Sequence, residues 1–149
     1  MFERRVHRDE WGDEVLEPTP GPRVGALELQ KAQWLSAACW RRAVAGACRR
    51  VGLTFGEWLV IDALRELYQE QRDAVSQSAI AARAGLPRGN VSDMVPQLEK
   101  KQLISRGPSA FGRALRVFPT KEAERLLLLL YPRLDAISRR AIAPPDGAL

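Results

Sequence analysis

Four polar residues stand close together after Pro87: Arg88, Asn90, Ser92 and Asp93. An arginine can donate two hydrogen bonds to guanine, an asparagine can pair with adenine, and a serine can contact a base or a phosphate. These residue types at this spacing therefore suit the recognition of DNA bases. The alternative interpretation is that they are ordinary polar residues on a solvent-exposed face.

Cations supply a second group of candidates. Arg113 and Arg116 flank a turn that contains Gly112, and a cation on a projecting hairpin can enter the narrow, electronegative minor groove. Arg83 and Arg106 are then candidate phosphate contacts. Each of them taken alone is equally well explained as a surface charge, but as a group they favour a DNA-binding surface.

The basic charge is concentrated where these candidates lie. The chain has 149 residues and a net charge of +5, and the segment from Ala74 to Pro119 holds seven basic residues against two acidic ones, an excess of five. A basic surface alone does not distinguish nucleic-acid binding from a solvated face. The arrangement of predicted elements in this segment favours nucleic acid.

Two predicted helices and a short turn position the polar residues. Ser76 caps a helix over 77–84, Gly85 supplies the turn, and a second helix runs from Leu86 to about Gln102. Helix, glycine turn and helix form a helix-turn-helix, whose second helix presents its N-terminal half to the major groove. Ser76 and Gln77 join the candidate DNA contacts. Pro96 predicts a departure from a straight helix.

Two short strands follow, over 103–107 and 115–118, joined by a loop over 108–113. They predict a small β-wing. Thr120 then caps a long helical region that Pro132 is expected to kink or split. The predicted fold is mainly α with a small β-wing.

The region 24–51 predicts one long helix with apolar residues on two faces, so we expect it to need two packing partners, one of them a second copy of the chain. Gly52 ends this helix and Thr54 caps the next. Residues 1–23 mix charges with prolines and predict a flexible N-terminal arm.

The segment from about Leu53 to Thr120 resembles the multiple-antibiotic-resistance regulator (MarR) family. The resemblance is carried, in order, by 53–58, 76–81 with 85–86, Val91, 98–104, Arg106, Arg113 and Thr120. It implies a winged helix-turn-helix lobe over 53–119 and a homodimer built from the helices in 24–52 and 120–149, within a single domain over 24–149. Two positions depart from the family: Phe111 replaces a usual aspartate, and Gln102 stands where glycine is common.

Several function classes are disfavoured. The chain has one histidine, His7, and neither a glycine-rich phosphate loop nor a nucleophile with a plausible base, so we expect no catalytic residues, no metal site and no cofactor. Cys39 and Cys48 lie too far apart along one helix to form a disulfide and are interpreted as buried apolar residues. No segment is long and apolar enough to span a membrane, and the N-terminus has no signal-peptide pattern. We expect a cytoplasmic protein without membrane contact.

A small-molecule effector is the remaining expectation. A pocket can be lined by three tryptophans, Trp34, Trp40 and Trp58, and in it Arg41 or Arg42 can bind a carboxylate. The alternative is that these tryptophans are ordinary core residues, as tryptophans in helices often are. The resulting hypothesis is a homodimeric regulator, most simply a repressor, that binds a pseudo-palindromic operator in double-stranded DNA. A small aromatic or phenolic acid would release it. The alternative is a winged-helix protein-interaction module without sequence-specific DNA binding.

Overall fold

The computed structural model describes residues 6–8, 10–12, 14–16, 24–109 and 112–142, and gives the backbone alone for 6–7, 15–16, 24, 108–109 and 112–115. The chain divides into two compact units, Met1–Ala38 and Cys39–Leu149. The boundary between them falls inside the first helix, α1, which spans Val24–Arg49.

The first unit holds a two-stranded hairpin and the N-terminal half of α1. Strands β1 (Val6–Arg8) and β2 (Glu14–Leu16) pair antiparallel, with His7 opposite Val15. The sequence predicted a flexible arm here and no strands. Most of that predicted arm lies outside the described residues. In the described part of α1, four large apolar side chains are exposed: Leu27, Leu29, Trp34 and Leu35.

The second unit begins with the C-terminal half of α1, which buries Val44, Ala47 and Cys48. Helix α2 (Phe55–Gln71) follows and starts at the predicted cap. The Thr54 hydroxyl accepts a hydrogen bond from the backbone N–H of Glu57, and the Glu57 carboxylate accepts one from the Thr54 N–H. Such a reciprocal capping box fixes where the helix begins.

The helix-turn-helix has the predicted form. Helix α3 (Gln77–Ala84) is capped by the Ser76 hydroxyl, and Gly85 ends it with a φ of 68°, a left-handed conformation that glycine adopts without strain. Helix α4 spans Arg88–Lys100 and is shorter at both ends than predicted. Pro87 is its N-cap and Lys101 its C-cap. It continues through Pro96.

The wing is longer than predicted. Strands β3 (Ile104–Ser109) and β4 (Gly112–Pro119) pair antiparallel, with a register irregularity between Pro108 and Ser109. The backbone of Arg113 therefore lies in a strand and not in the loop to which the sequence assigned it. Pro108 is tolerated in β3 because the sheet has only two strands, so one side of each strand needs no backbone N–H donor. Val75 adds a bridge to Val117 on β4.

Helix α5 (Lys121–Ile142) is continuous through Pro132, so the split that was one of the two expected outcomes does not occur, and a kink there stays a prediction. It packs on α2 through polar contacts: the Tyr131 hydroxyl donates to Asp62 at 2.6 Å, and the Arg65 Nε lies 3.0 Å from Glu124. Leu127, Leu130 and Leu134 join one core cluster with α2, α3, α4 and the wing. In the described residues, no helix is long and apolar enough to cross a membrane, and no three potential metal ligands cluster.

Candidate nucleic-acid interface

The start of α4 presents three polar side chains that are free to bind something else. Arg88, Asn90 and Asp93 are exposed, and none has a side-chain hydrogen bond or ion pair with another described residue. The opposite face of the helix is fixed in the core by Val91, Val95 and Leu98. These observations leave a rigid helix with unengaged donors and acceptors on its outer surface, as base recognition requires.

Helical periodicity divides these side chains between two flanks. Residues four apart lie on the same flank, which pairs Arg88 with Ser92 and Asn90 with Met94. Ser92 faces α3, where its hydroxyl donates to the Gln77 Oε1 at 3.0 Å. Met94 faces α2. The four residues predicted to contact bases are therefore distributed over the exposed side of α4 and do not form a single row.

Two predicted DNA contacts at the start of α3 have structural roles. The Ser76 hydroxyl accepts the Ala79 N–H at 3.2 Å as the helix cap, and Gln77 holds Ser92. Both side chains are half-buried. Their contact with DNA stays a prediction. In the structure, Ser76 stabilises the start of α3, and Gln77 connects α3 to α4.

Arg83 is held by two carboxylates of α2. Its guanidinium lies 3.0 Å from Glu66 and forms a two-pronged contact with Glu70 at 2.8 and 2.9 Å. Hydrogen bonding from Arg83 lowers the pKa of Glu70. A phosphate that binds Arg83 therefore has to displace two carboxylates of α2, Glu66 and Glu70.

The arginines at the wing also differ in whether they are already paired with a carboxylate. The Arg106 Nε lies 2.7 Å from Glu99 on α4, so this side chain is also paired. Arg116 is half-buried, and its Nε is shielded from solvent without a hydrogen-bond partner in the part of the chain that the structure describes. The side chain of Arg113 and the whole of Phe111 lie outside the described residues, so the minor-groove contact stays a prediction.

The C-terminal end of α4 is anchored to the start of α2. The Lys101 ammonium donates to both carboxylate oxygens of Glu57 and, at 2.8 Å, to the Gly52 carbonyl. Gln102 follows in a left-handed conformation with a φ of 59°. The Thr120 hydroxyl donates to the Gln102 carbonyl at 2.7 Å. Helix α4, helix α2 and the wing are thus connected at one point.

A cleft of about 530 Å³ opens beside α4, within the second unit. Its walls come from the C-terminal half of α1, the start of α2, the α3–α4 turn and α4, and include Arg41, Phe55, Leu59, Asn90, Asp93 and Met94. The Arg41 guanidinium lies 5.2 Å from the centre of the Phe55 ring. The cleft combines apolar side chains, the Arg41 cation and two polar side chains without partners among the described residues, which is a usual composition for a small-molecule site.

The predicted effector residues are only partly brought together. Arg41 lines the cleft, whereas Trp40 and Trp58 are not among its walls. Trp40 packs edge-on against Phe55 and Trp58, and the Phe55 and Trp58 rings are tilted against each other. Trp40 donates to Ser138, and Trp58 is 8% exposed with its Nε1 unpartnered among the described residues. Arg42 contacts the sulfur of Cys39, and Cys39 is exposed, contrary to the prediction that both cysteines are buried. Trp34 is 72% exposed.

Phe55, Leu59 and Met94 were not predicted as cleft residues. One signal was available in the sequence: Gly56 interrupts an otherwise good helix-forming stretch. A Cβ at this position would lie 3.1 Å from the Met94 sulfur, so the absence of a side chain lets Met94 pack against the α2 backbone. A glycine inside a helix often marks such a close approach.

Comparison with known proteins supports this architecture. Residues 58–110 match the MarR family model. The structure is similar to that of CouR from Rhodococcus jostii RHA1 bound to p-coumaroyl-CoA, at 25% identity over 87% of this chain and 86% of that one, with a TM-score of 0.64. No curated protein sequence matches the chain.

Two further solved structures share the fold. BpsR from Bordetella bronchiseptica, whose DNA binding is regulated by 6-hydroxynicotinic acid, is 20% identical over 85% of this chain and 89% of that one, with a TM-score of 0.61. A MarR-family transcriptional regulator from Rhodococcus sp. RHA1 is 24% identical over 89% and 86%, with a TM-score of 0.63. The family-model match over residues 58–110, the helix-turn-helix with its wing and these shared folds support a winged-helix architecture like that of MarR-family transcription regulators.

Proposed function

We propose that this protein is a ligand-responsive repressor that binds a pseudo-palindromic operator as a homodimer. The observation that carries the proposal is the exposed and unengaged set of Arg88, Asn90 and Asp93 on the first turns of α4. An arginine and an asparagine at this place on the second helix of a helix-turn-helix can each form two hydrogen bonds with a base.

Sequence-independent affinity would come from cations around this helix. Arg83 and Arg106 are paired with carboxylates in the free protein, so part of their phosphate attraction is offset before DNA arrives. We therefore assign more of the affinity to Arg88 and to the wing residues Arg113 and Arg116. Phosphate contacts of this kind make binding fall steeply with salt.

Dimerisation is proposed through α1 and α5. Large apolar side chains are exposed on both helices in the single chain: Leu27, Leu29, Trp34 and Leu35 on α1, and Leu128, Leu129 and Ile142 on α5. Apolar surface of this extent is a usual mark of an interaction site. Light scattering should give twice the chain mass of 16.6 kDa, and a clean monomer would contradict both the dimer and the two-fold operator.

The effector is proposed to be a small aromatic or phenolic acid bound in the cleft. Arg41 offers a partner for a carboxylate, and Phe55, Leu59 and Met94 offer apolar surface for a ring. Two proteins of similar fold are described with ligands of related chemistry, p-coumaroyl-CoA for CouR and 6-hydroxynicotinic acid for BpsR.

Selection of genomic fragments by the purified full chain tests the central proposal. We expect one enriched motif with two-fold symmetry, because a dimer presents two α4 helices to two half-sites. The second candidate function, a protein-interaction module, is favoured by the ion pairs of Arg83 and Arg106. Fragments recovered without any shared motif would support that module and overturn the operator.

A further inference from the structure

We propose that a ligand in the cleft and the operator compete directly for the same side chains, Asn90 and Asp93. The inference rests on the proposed function and specifies how its ligand acts. It needs no movement of one part of the protein against another, because the ligand would occupy the hydrogen-bonding groups that α4 otherwise offers to bases.

The geometry places these two residues in both sites. Asn90 and Asp93 line the cleft together with Met94, and all three belong to α4. Asn90 and Asp93 are nevertheless exposed and lie in the half of the helix that enters the major groove. An amide or carboxylate that bonds to a ligand is not available to a base at the same time.

The other flank of α4 is separate from the cleft. Arg88 and Ser92 are absent from its walls, and Ser92 is bound to Gln77 on α3. A ligand should therefore remove only part of the base contacts and leave Arg88 and the cations of the wing unchanged. Direct competition thus predicts a selective loss of operator binding with non-specific binding largely retained.

The polar groups of the cleft define the ligand that competes best. Arg41 requires an anionic group, whereas the Asp93 carboxylate requires a hydrogen-bond donor, and Phe55 and Met94 add apolar surface to the same cleft. A flat apolar molecule with an acidic group at one end and a hydroxyl or N–H at the other satisfies both. The donor end is the part that reaches the recognition helix.

A covalently attached group tests the competition without a known ligand. Leu59→Cys in a Cys39→Ser background places one accessible thiol in the cleft. Cys48 is buried, and burial raises its pKa to about 11, so it stays a protonated and unreactive thiol. Modification with N-ethylmaleimide then fills part of the cleft. Gln69→Cys, exposed on the same helix about 15 Å further along its axis, is the matched control.

We expect modified Leu59→Cys to bind the operator about tenfold or more weakly than the unmodified variant, since each lost pair of base contacts is worth roughly that factor. Modified Gln69→Cys should bind like its unmodified form. Operator DNA should also slow modification of Leu59→Cys. If Leu59→Cys does not fold, Ala84→Cys supplies a second thiol on the cleft wall.

Repeating the experiment in an Asn90→Ala background separates direct competition from displacement of the helix. Under direct competition most of the modification effect disappears, because the blocked group is already missing. An undiminished effect, or an equal loss on random DNA, would show that the cleft acts by moving α4 and would overturn the inference. Unchanged operator binding after full modification would also overturn it while leaving the proposed function intact. Failure of the unmodified protein to select any operator would instead contradict the proposed function itself.

Discussion

The Lys101 ammonium lies 2.8 Å from one carboxylate oxygen of Glu57 and 2.9 Å from the other, although Glu57 is only 4% exposed. The same carboxylate accepts the Thr54 N–H at the start of α2. A buried charge of this kind is tolerated because its partners surround it. Lys101 thus stabilises the start of one helix and the end of another.

Replacing Lys101 with methionine should lower the free energy of unfolding by about 1–3 kcal/mol, because the buried Glu57 side chain would lose two hydrogen bonds that it accepts from the ammonium. Urea unfolding measures the change. Lys100→Met, at the exposed neighbouring position, is the control and should have little effect. The double variant Glu57→Gln/Lys101→Met should recover part of the loss, since a neutral amide can still accept the Thr54 N–H. Equal stability of the two lysine variants would contradict this role.

Asn90→Ala should weaken operator binding by roughly 1–3 kcal/mol and relax the choice of one base in each half-site. Non-specific binding should barely change, because the amide carries no charge. Titration of the operator and its single-base variants measures both effects. Gln97→Ala, an exposed amide two turns further along α4, is the matched control. Equal losses on operator and random DNA would make Asn90 a positioning residue.

The Arg83 cluster should control affinity for any DNA sequence. Glu70→Gln removes one negative charge beside Arg83, so it should strengthen non-specific binding and steepen the salt dependence by about one unit. Arg83→Ala should do the opposite. Glu122→Gln removes a comparable exposed ion-pair partner on α5 and should leave DNA binding unchanged. The same response from Glu70→Gln and Glu122→Gln would exclude Arg83 as a phosphate contact.

Arg113→Ala tests the wing. A cation in the minor groove favours A·T-rich flanks, whose groove is narrow. The substitution should weaken operator binding by about 1–2 kcal/mol and lower the salt slope by about one unit. Exchanging the flanks for G·C pairs should then harm the native protein more than the variant. Native-like binding of the variant on both flanks would favour the protein-interaction module.

Asp62 should give stability a distinctive pH dependence. Burial raises its pKa above the ordinary value of 3.8 and outweighs the hydrogen bond from Tyr131 and the charge of Arg65, while Glu66 raises it further. The native state therefore binds its proton more tightly than the unfolded chain, and stability falls as pH rises from 3.8 through the raised value.

Asp62→Asn should remove this dependence and increase stability at pH 7, because the native state would no longer hold a buried ionised carboxylate at this position. The variant keeps an acceptor for the Tyr131 hydroxyl, so the contact between α2 and α5 is preserved. Urea unfolding at several pH values between 4 and 7 measures the difference between the two proteins. A difference that stays constant over that range would rule out titration of Asp62 as its source.

The sequence was most informative where local chemistry fixes the backbone. Ser76, Gly85 and Thr54 lie at helix ends whose caps depend on neighbouring residues, and their predicted positions were confirmed. Short strands carry a weaker signal. The hairpin of β1 and β2 has three residues per strand, too few for a clear alternation of apolar and polar residues.

Contacts between distant residues could not be predicted from one sequence. The partners of Arg83 lie 13 and 17 residues away on another helix, and Lys101 meets Glu57 across 44 residues. Such pairs depend on how the helices pack, which periodicity alone does not determine. Of the predicted pocket residues only Arg41 lines the cleft, for the same reason, because its walls come from separate elements and only Gly56 indicated a close approach.

The left-handed conformation of Gln102 has a consequence for the spacing of the operator. It is strained by about 1 kcal/mol for a residue with a side chain, and it is held between the Lys101 anchor and the Thr120 hydroxyl. The joint between α4 and the wing therefore has little freedom to rotate. Inserting one base pair between the sequences that the two elements contact would shift them by about 3.4 Å along the DNA axis. The wing could not follow, so the proposed operator should keep a fixed number of base pairs between its predicted major-groove and minor-groove contacts.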